Sequence, residues 1–131
     1  MPYGFVVSDV FRTTPDVLYD AWMSSEGHSA MTGAPATVDP RIGGAFEAWD
    51  GYITGRTLVL EPGRRIVQSW RTSEFSDVDG DSQIDVAFEP LDDATRIVIR
   101  HGNVPDGHHS YEEGGWQQHY FEPMRAYFEG N

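Results

Sequence analysis

The stretch from roughly Glu112 to Phe128 restricts the fold of this chain more than any other part of it. At about 100° per residue, Trp116, Tyr120, Phe121, Met124, Tyr127 and Phe128 share a helical arc of about 140°. Gln118, Glu122, Arg125 and Glu129 fall opposite. Pro123 lies inside the stretch, where it has no N–H for the helical ladder and bends the axis. A bent helix with so wide an aromatic face needs a broad apolar surface to rest on.

The preceding sequence is patterned to supply one. Phe5 to Phe11 reads as a strand, rich in β-branched and aromatic residues. Thr14 is placed to cap a helix, Pro15 suits its first position, and Asp16 complements the positive end of its dipole. Val17, Leu18, Ala21 and Trp22 then share one side. Glycines and prolines between Gly27 and Pro40 leave a short second helix and a loop. Strands follow at Ala45–Trp49, Tyr52–Leu60, Arg64–Thr72, Gln83–Glu89 and Thr95–His101, with Asp50-Gly51 as a two-residue hairpin signal. Ile84, Val86 and Phe88 alternate onto one face, as do Ile97, Ile99 and His101. The order predicts an α+β chain, residues 1–131 as a single domain, with a curved antiparallel sheet around the terminal helix.

Charge and composition exclude several roles. The chain has 21 acidic residues against 9 basic ones, all arginine, for a net charge of −12. Such a surface repels phosphate backbones and anionic bilayers, which argues against nucleic-acid and membrane partners. There is no cysteine, so thiolate chemistry and Cys-based metal sites are absent. With no long apolar run and no basic-then-apolar leader pattern, the expected location is cytoplasmic.

Several stretches together resemble a known family. They are Thr14-Pro15-Asp16-Val17-Leu18-Tyr19-Asp20-Ala21-Trp22, Gly43-Gly44-Ala45-Phe46, Gly55 through Leu60, Glu61-Pro62-Gly63-Arg64-Arg65-Ile66-Val67-Gln68-Ser69-Trp70 and Thr95-Arg96-Ile97-Val98-Ile99-Arg100-His101. Gly115-Trp116 and Tyr120-Phe121-Glu122-Pro123-Met124-Arg125-Ala126-Tyr127-Phe128 complete the set. In order and spacing they are similar to the family named for the activator of Hsp90 ATPase, within the START-like helix-grip superfamily. The resemblance implies a sheet gripping the C-terminal helix, with an elongated cavity between them. Related helix-grip proteins hold lipids, sterols or polyketides there, and a few catalyse cyclisation or hydrolysis. The eukaryotic name-giving protein stimulates a chaperone ATPase and carries an additional chaperone-binding domain, for which this chain has no room.

The expected function is therefore the binding of a small apolar or amphipathic molecule, with a cyclase- or hydrolase-type enzyme or a chaperone-associated protein as alternatives. Trp22, Phe46, Trp49, Trp70, Phe88, His101, Trp116, Gln117 and Tyr120 are the candidate cavity residues. The same rings also suit plain core packing. Gln117 is singled out because an amide on the apolar arc needs a partner. His101, His119 and Asp9 are the groups an enzyme of this kind would use to move protons.

Two further clusters read as surface features. His108-His109 with Glu112-Glu113 lacks metal-ligand spacing. Asp77-Val78-Asp79-Gly80-Asp81 matches alternate places of a calcium loop, but Ser82 and Phe88 stand where glycine and glutamate belong. No phosphate loop or nucleophile elbow occurs. No cofactor, metal or catalytic residue is assigned, and monomer and homodimer both remain open.

Overall fold

The computed structural model describes residues 3–105 and 111–129. Strand β1 (Tyr3–Phe11) is followed by α1 (Pro15–Trp22) and α2 (Ser25–Thr32). Strands β2 (Thr37–Val38), β3 (Ala45–Ala48), β4 (Ile53–Glu61), β5 (Arg65–Thr72), β6 (Ser82–Pro90) and β7 (Thr95–Val104) come next, and α3 (Glu122–Glu129) closes the chain. All neighbouring strands are antiparallel in one seven-stranded sheet of order β1-β7-β6-β5-β4-β3-β2. A register shift in β4 between Thr57 and Val59 adds to the sheet's bend.

Local signals account for the helix starts. The Thr14 hydroxyl accepts from the Val17 N–H at 3.2 Å, with Pro15 in the first turn. Ser24 caps α2 by accepting from the Gly27 N–H at 3.0 Å, and α2 ends at Gly33 in the left-handed region. On α1, Val17 is exposed, contrary to the expected face. Tyr19 is buried in its place, its ring 6.0 Å from Phe88 across the helix–sheet contact.

The inward faces of β6 and β7 follow the alternation closely. Ile84, Val86, Phe88, Ile97, Ile99 and His101 are all buried. The strands β4 and β5 approach closely at Gly55, where a Cβ would stand 1.9 Å from the Ser69 carbonyl oxygen and 2.6 Å from Phe46 Cε1. Only glycine permits that spacing.

The C-terminal segment winds less regularly than a single helix. Residues 111–115 are broken at Gly114, whose φ of 145° is a conformation L side chains rarely adopt. Gln117–Phe121 then forms a wide π-helical turn, the Glu122 N–H reaching back to the Gln117 carbonyl, before α3 begins. Pro123, in the first turn of α3, causes no break there because an N–H is not required. An Asp9–Arg125 ion pair, an Arg125 bond to the Val10 carbonyl at 3.0 Å and the guanidinium over the Phe11 ring pin α3 to β1.

Candidate functional site

A cavity of about 570 Å³ opens between the β3–β4–β5 end of the sheet and the winding segment before α3. Its floor consists of the buried residues Ile53, Trp70, Tyr111, Trp116 and Tyr120. Trp49 and Tyr52 are partly buried, and Glu74, Glu113, Gln118 and His119 form an exposed rim.

The hairpin between β3 and β4 sets one wall. The Tyr52 N–H bonds the Trp49 carbonyl at 3.1 Å, closing a turn whose central residues, Asp50 and Gly51, have φ of 56° and 89°. This is the primed turn that Asp-Gly favours. Trp49 itself has φ 53°, an unusual state for so large a side chain. Its indole N–H donates to the His119 carbonyl at 3.2 Å, and its ring packs edge-on to the His119 imidazole at 5.0 Å.

Beneath the floor the polar atoms are satisfied by one another. The Trp116 indole can only donate, so at 3.2 Å His101 Nδ1 accepts and the ring proton sits on Nε2. His101 Nε2–H then donates to Ser82 Oγ at 2.8 Å, and the Ser82 hydroxyl donates to the Trp70 carbonyl at 2.6 Å. This order is the reverse of a serine activated by a histidine base, because the serine proton faces a carbonyl and the imidazole gives rather than takes. Burial lowers the His101 pKa from 6.5 to about 3, so the ring is neutral.

A second neutral histidine stands nearby. His28 Nδ1–H donates to the Trp22 carbonyl at 2.9 Å, and Nε2 accepts from the Tyr120 hydroxyl at 2.7 Å. Burial lowers its pKa to about 4, against the weaker upward effect of the Trp22 bond. The same desolvation raises Tyr120 and Tyr111, whose hydroxyls stay protonated. Tyr111 pairs with Thr72 Oγ1 at 2.6 Å. The Trp22 indole donates to Gln68 Oε1 at 3.2 Å, and Gln68 in turn donates to Thr57 Oγ1 at 3.2 Å. Among the described residues, no buried side-chain nitrogen or oxygen lacks a partner.

Of the residues expected at the cavity, Trp49, Trp70, Trp116 and Tyr120 line it. Trp22 and His101 lie one layer behind, Trp22 stacked on Trp116 at 6.5 Å and His101 edge-on to Trp70 at 4.6 Å. Phe88 packs on Tyr19, and Phe46 borders a separate shallow hollow with Arg56 and Arg71. Gln117 is a correction: it is exposed and outside the lining, and Gln118 takes the place beside the cavity. The segment is broken at Gly114 and opens into a wide turn at Gln117–Phe121, so no single wheel drawn at 100° describes it. Asp9 is likewise remote from the cavity lining, held by Arg125 and its own neighbour Val10 N–H.

The sequence reading missed Tyr52, Tyr111, Glu74, Glu113 and Gln118 as lining residues, and the buried pair His28 and Gln68. A signal existed for Tyr52, since the two ends of an Asp-Gly turn lie opposite each other and Trp49 is its partner. Nothing local marks His28. The acidic turn after β5 is an arginine-stapled hairpin: Arg71 binds Asp81 at 2.7 Å and the Ser76 carbonyl at 3.0 Å. Among the described residues no three His, Asp or Glu side chains gather as a metal site, and His108 and His109 lie outside those residues. No described helix is long and apolar enough to cross a membrane.

Comparison with known proteins agrees with this architecture. Over 122 residues the chain is 29% identical to the human activator of 90 kDa heat shock protein ATPase homolog 1, covering 93% of this chain but 36% of that protein. It thus spans about a third of the length of that relative. The crystal structure of an Hsp90 activator from Plasmodium falciparum superposes with a TM-score of 0.84 at 23% identity, covering 93% of both chains. The solution structure of an Aha1 dimer from Colwellia psychrerythraea gives a TM-score of 0.79 at 12% identity, covering 98% of each. The family described as activator of Hsp90 ATPase homolog 1-like protein matches residues 12–129, and with its sheet wrapped on a C-terminal helix the chain belongs to that helix-grip family.

Proposed function

We propose that this domain is a non-catalytic binding module that holds a small amphipathic molecule between its sheet and its C-terminal winding segment. The observation that carries this reading is the cavity itself, about 570 Å³ with a floor of buried aromatic rings and an exposed polar rim. That volume falls in the range of small-molecule sites, where apolar walls provide burial and a few polar groups at the mouth set orientation. The cyclase or hydrolase alternative is less well supported. Of its three expected acids or bases, His101 is a neutral imidazole committed to Ser82 and Trp116 behind the cavity wall. Asp9 is held by Arg125 away from the lining, and His119 alone reaches the cavity, at its exposed rim.

NMR titration with a panel of lipids, sterols and aromatic polyketides tests the proposal. Saturable shifts of the Trp49 and Trp116 indole N–H and the Tyr120 ring signals are expected for at least one class. A panel that leaves all of them unmoved overturns it.

Family membership favours a second reading, in which the domain also contacts a 90 kDa heat shock chaperone, as the relatives' names describe for them. Adding the domain to a purified chaperone of that class and following its ATPase rate tests this. Stimulation supports it, and an unchanged rate at saturating domain, with no complex by sedimentation, counts against it.

A further inference from the structure

We infer that the guest of this cavity is an organic cation, a quaternary ammonium or protonated amine carried on an apolar body. The inference rests on the proposal above that the cavity binds a small molecule, and it names the chemical class. Three observations point the same way.

The first is what the rings have done with their donors. The Trp49 indole N–H is taken by the His119 carbonyl, the Trp116 N–H by His101, the Tyr120 hydroxyl by His28, and the Tyr111 hydroxyl is paired with Thr72. A carboxylate, phosphate or carbonyl guest would find the Trp49, Trp116 and Tyr120 donors already engaged by the protein. What those three rings have left to offer is π surface, which attracts cations through its quadrupole and gives an anion nothing.

The second is the charge at the mouth. Among the described lining residues the carboxylates are Glu74 and Glu113, both exposed at the rim, and no arginine is among them. The arginines of the neighbouring strands are turned elsewhere, Arg65 to Asp85, Arg71 to Asp81 and Arg56 to the Gly43 carbonyl. An anionic lipid would meet two negative charges on entry, and a cation would meet two counter-ions above an aromatic floor.

The third is the whole-chain field. A net charge of −12 with no lysine raises the mean concentration of cations around the molecule and lowers that of anions. The rim carboxylates concentrate that field at an opening with apolar walls.

The test is a matched set of probes of one shape: (4-hydroxymethylphenyl)trimethylammonium, its neutral isostere 4-tert-butylbenzyl alcohol, and the anion 4-tert-butylbenzoate. Each is titrated by NMR, with the Trp116 and Tyr120 signals reporting cavity occupancy. The cation is expected to bind at least about tenfold tighter than the neutral isostere, and the anion weakest of the three. In Glu74→Gln/Glu113→Gln, both changes being at exposed positions, the preference for the cation should fall at least about threefold while the neutral probe is unaffected. Equal affinity for cation and neutral probe overturns the inference and leaves the binding-module reading intact. An absence of cavity shifts with all three probes counts against both. A cation preference undiminished in the double variant overturns the role given to the carboxylates.

Discussion

The Trp49 indole N–H donates to the His119 carbonyl at 3.2 Å, the carbonyl four residues before Pro123, whose nitrogen has no hydrogen to offer it. A hairpin residue thus serves an acceptor that Pro123 cannot, and the bond ties the two walls of the cavity together. Trp49→Phe keeps a ring and removes the donor, and should cost about 1 kcal/mol. Pro123→Ala restores a backbone N–H four residues after this carbonyl, the spacing at which regular helical winding pairs the two. In that background Trp49→Phe should cost at least about 0.5 kcal/mol less. Urea midpoints of the four proteins measure the coupling, and strictly additive costs would refute the assignment.

His28 and His101 make stability depend on pH. Both are neutral when folded, with pKa lowered by burial from 6.5 to about 4 and about 3. The unfolded chain takes up those protons near pH 6.5, so below that value the unfolded state binds more protons and stability falls. The loss runs from about pH 6.5 down to about pH 4 for His28 and about pH 3 for His101, at up to about 1.4 kcal/mol per pH unit for each ring. Its upper part lies above the range in which ordinary carboxylates titrate. Thermal melts between pH 7.5 and 5 should show Tm level above pH 7 and dropping below 6.5. Imidazole NMR shifts that reveal either ring charged at pH 5.5 in the folded protein would contradict the mechanism.

Tyr120→Phe isolates one buried bond. The hydroxyl is the donor to His28 Nε2, whose other nitrogen is already bound to the Trp22 carbonyl. Removing it leaves a buried acceptor unmet, a loss of about 1–3 kcal/mol. Tyr127→Phe, at a half-exposed ring of α3, should change stability by no more than about 0.5 kcal/mol. Chemical denaturation of the two variants side by side decides the matter, and equal effects would mean that the His28–Tyr120 bond contributes nothing.

Gly55→Ala tests a close approach between β4 and β5. The new Cβ would meet the Ser69 carbonyl at 1.9 Å, a backbone atom that can move only with β5. The expected loss is about 2–3 kcal/mol or more. Gly102→Ala on β7, where nothing lies within 4 Å, should be close to neutral. Comparable midpoints for the two variants would show that the sheet yields at Gly55.

Much of the fold was legible because its signals are local. Thr14 and Pro15 announce α1, Asp50-Gly51 announces the hairpin, and the alternation of Ile84, Val86 and Phe88 announces the buried face of β6. The order of strands and the family resemblance then placed the terminal helix on a curved sheet. The site was legible only in part. Trp49, Trp70, Trp116 and Tyr120 were found as large rings on patterned elements, but the same pattern selected Phe46 and Phe88, which pack elsewhere.

What the chain alone determined was which residues are apolar, where each element starts and stops, and which face of a regular strand is inward. Tertiary structure decided whatever depends on two distant segments meeting. The Tyr111–Thr72 pair joins residues 39 apart, and the His28–Tyr120 pair joins residues 92 apart. It also decided which glutamine borders the cavity, because the break at Gly114 and the wide turn after it set how the segment meets the sheet. Periodicity is set by local backbone geometry and can be read from spacing. The partner of a buried donor depends on the whole chain's path, which no local spacing encodes.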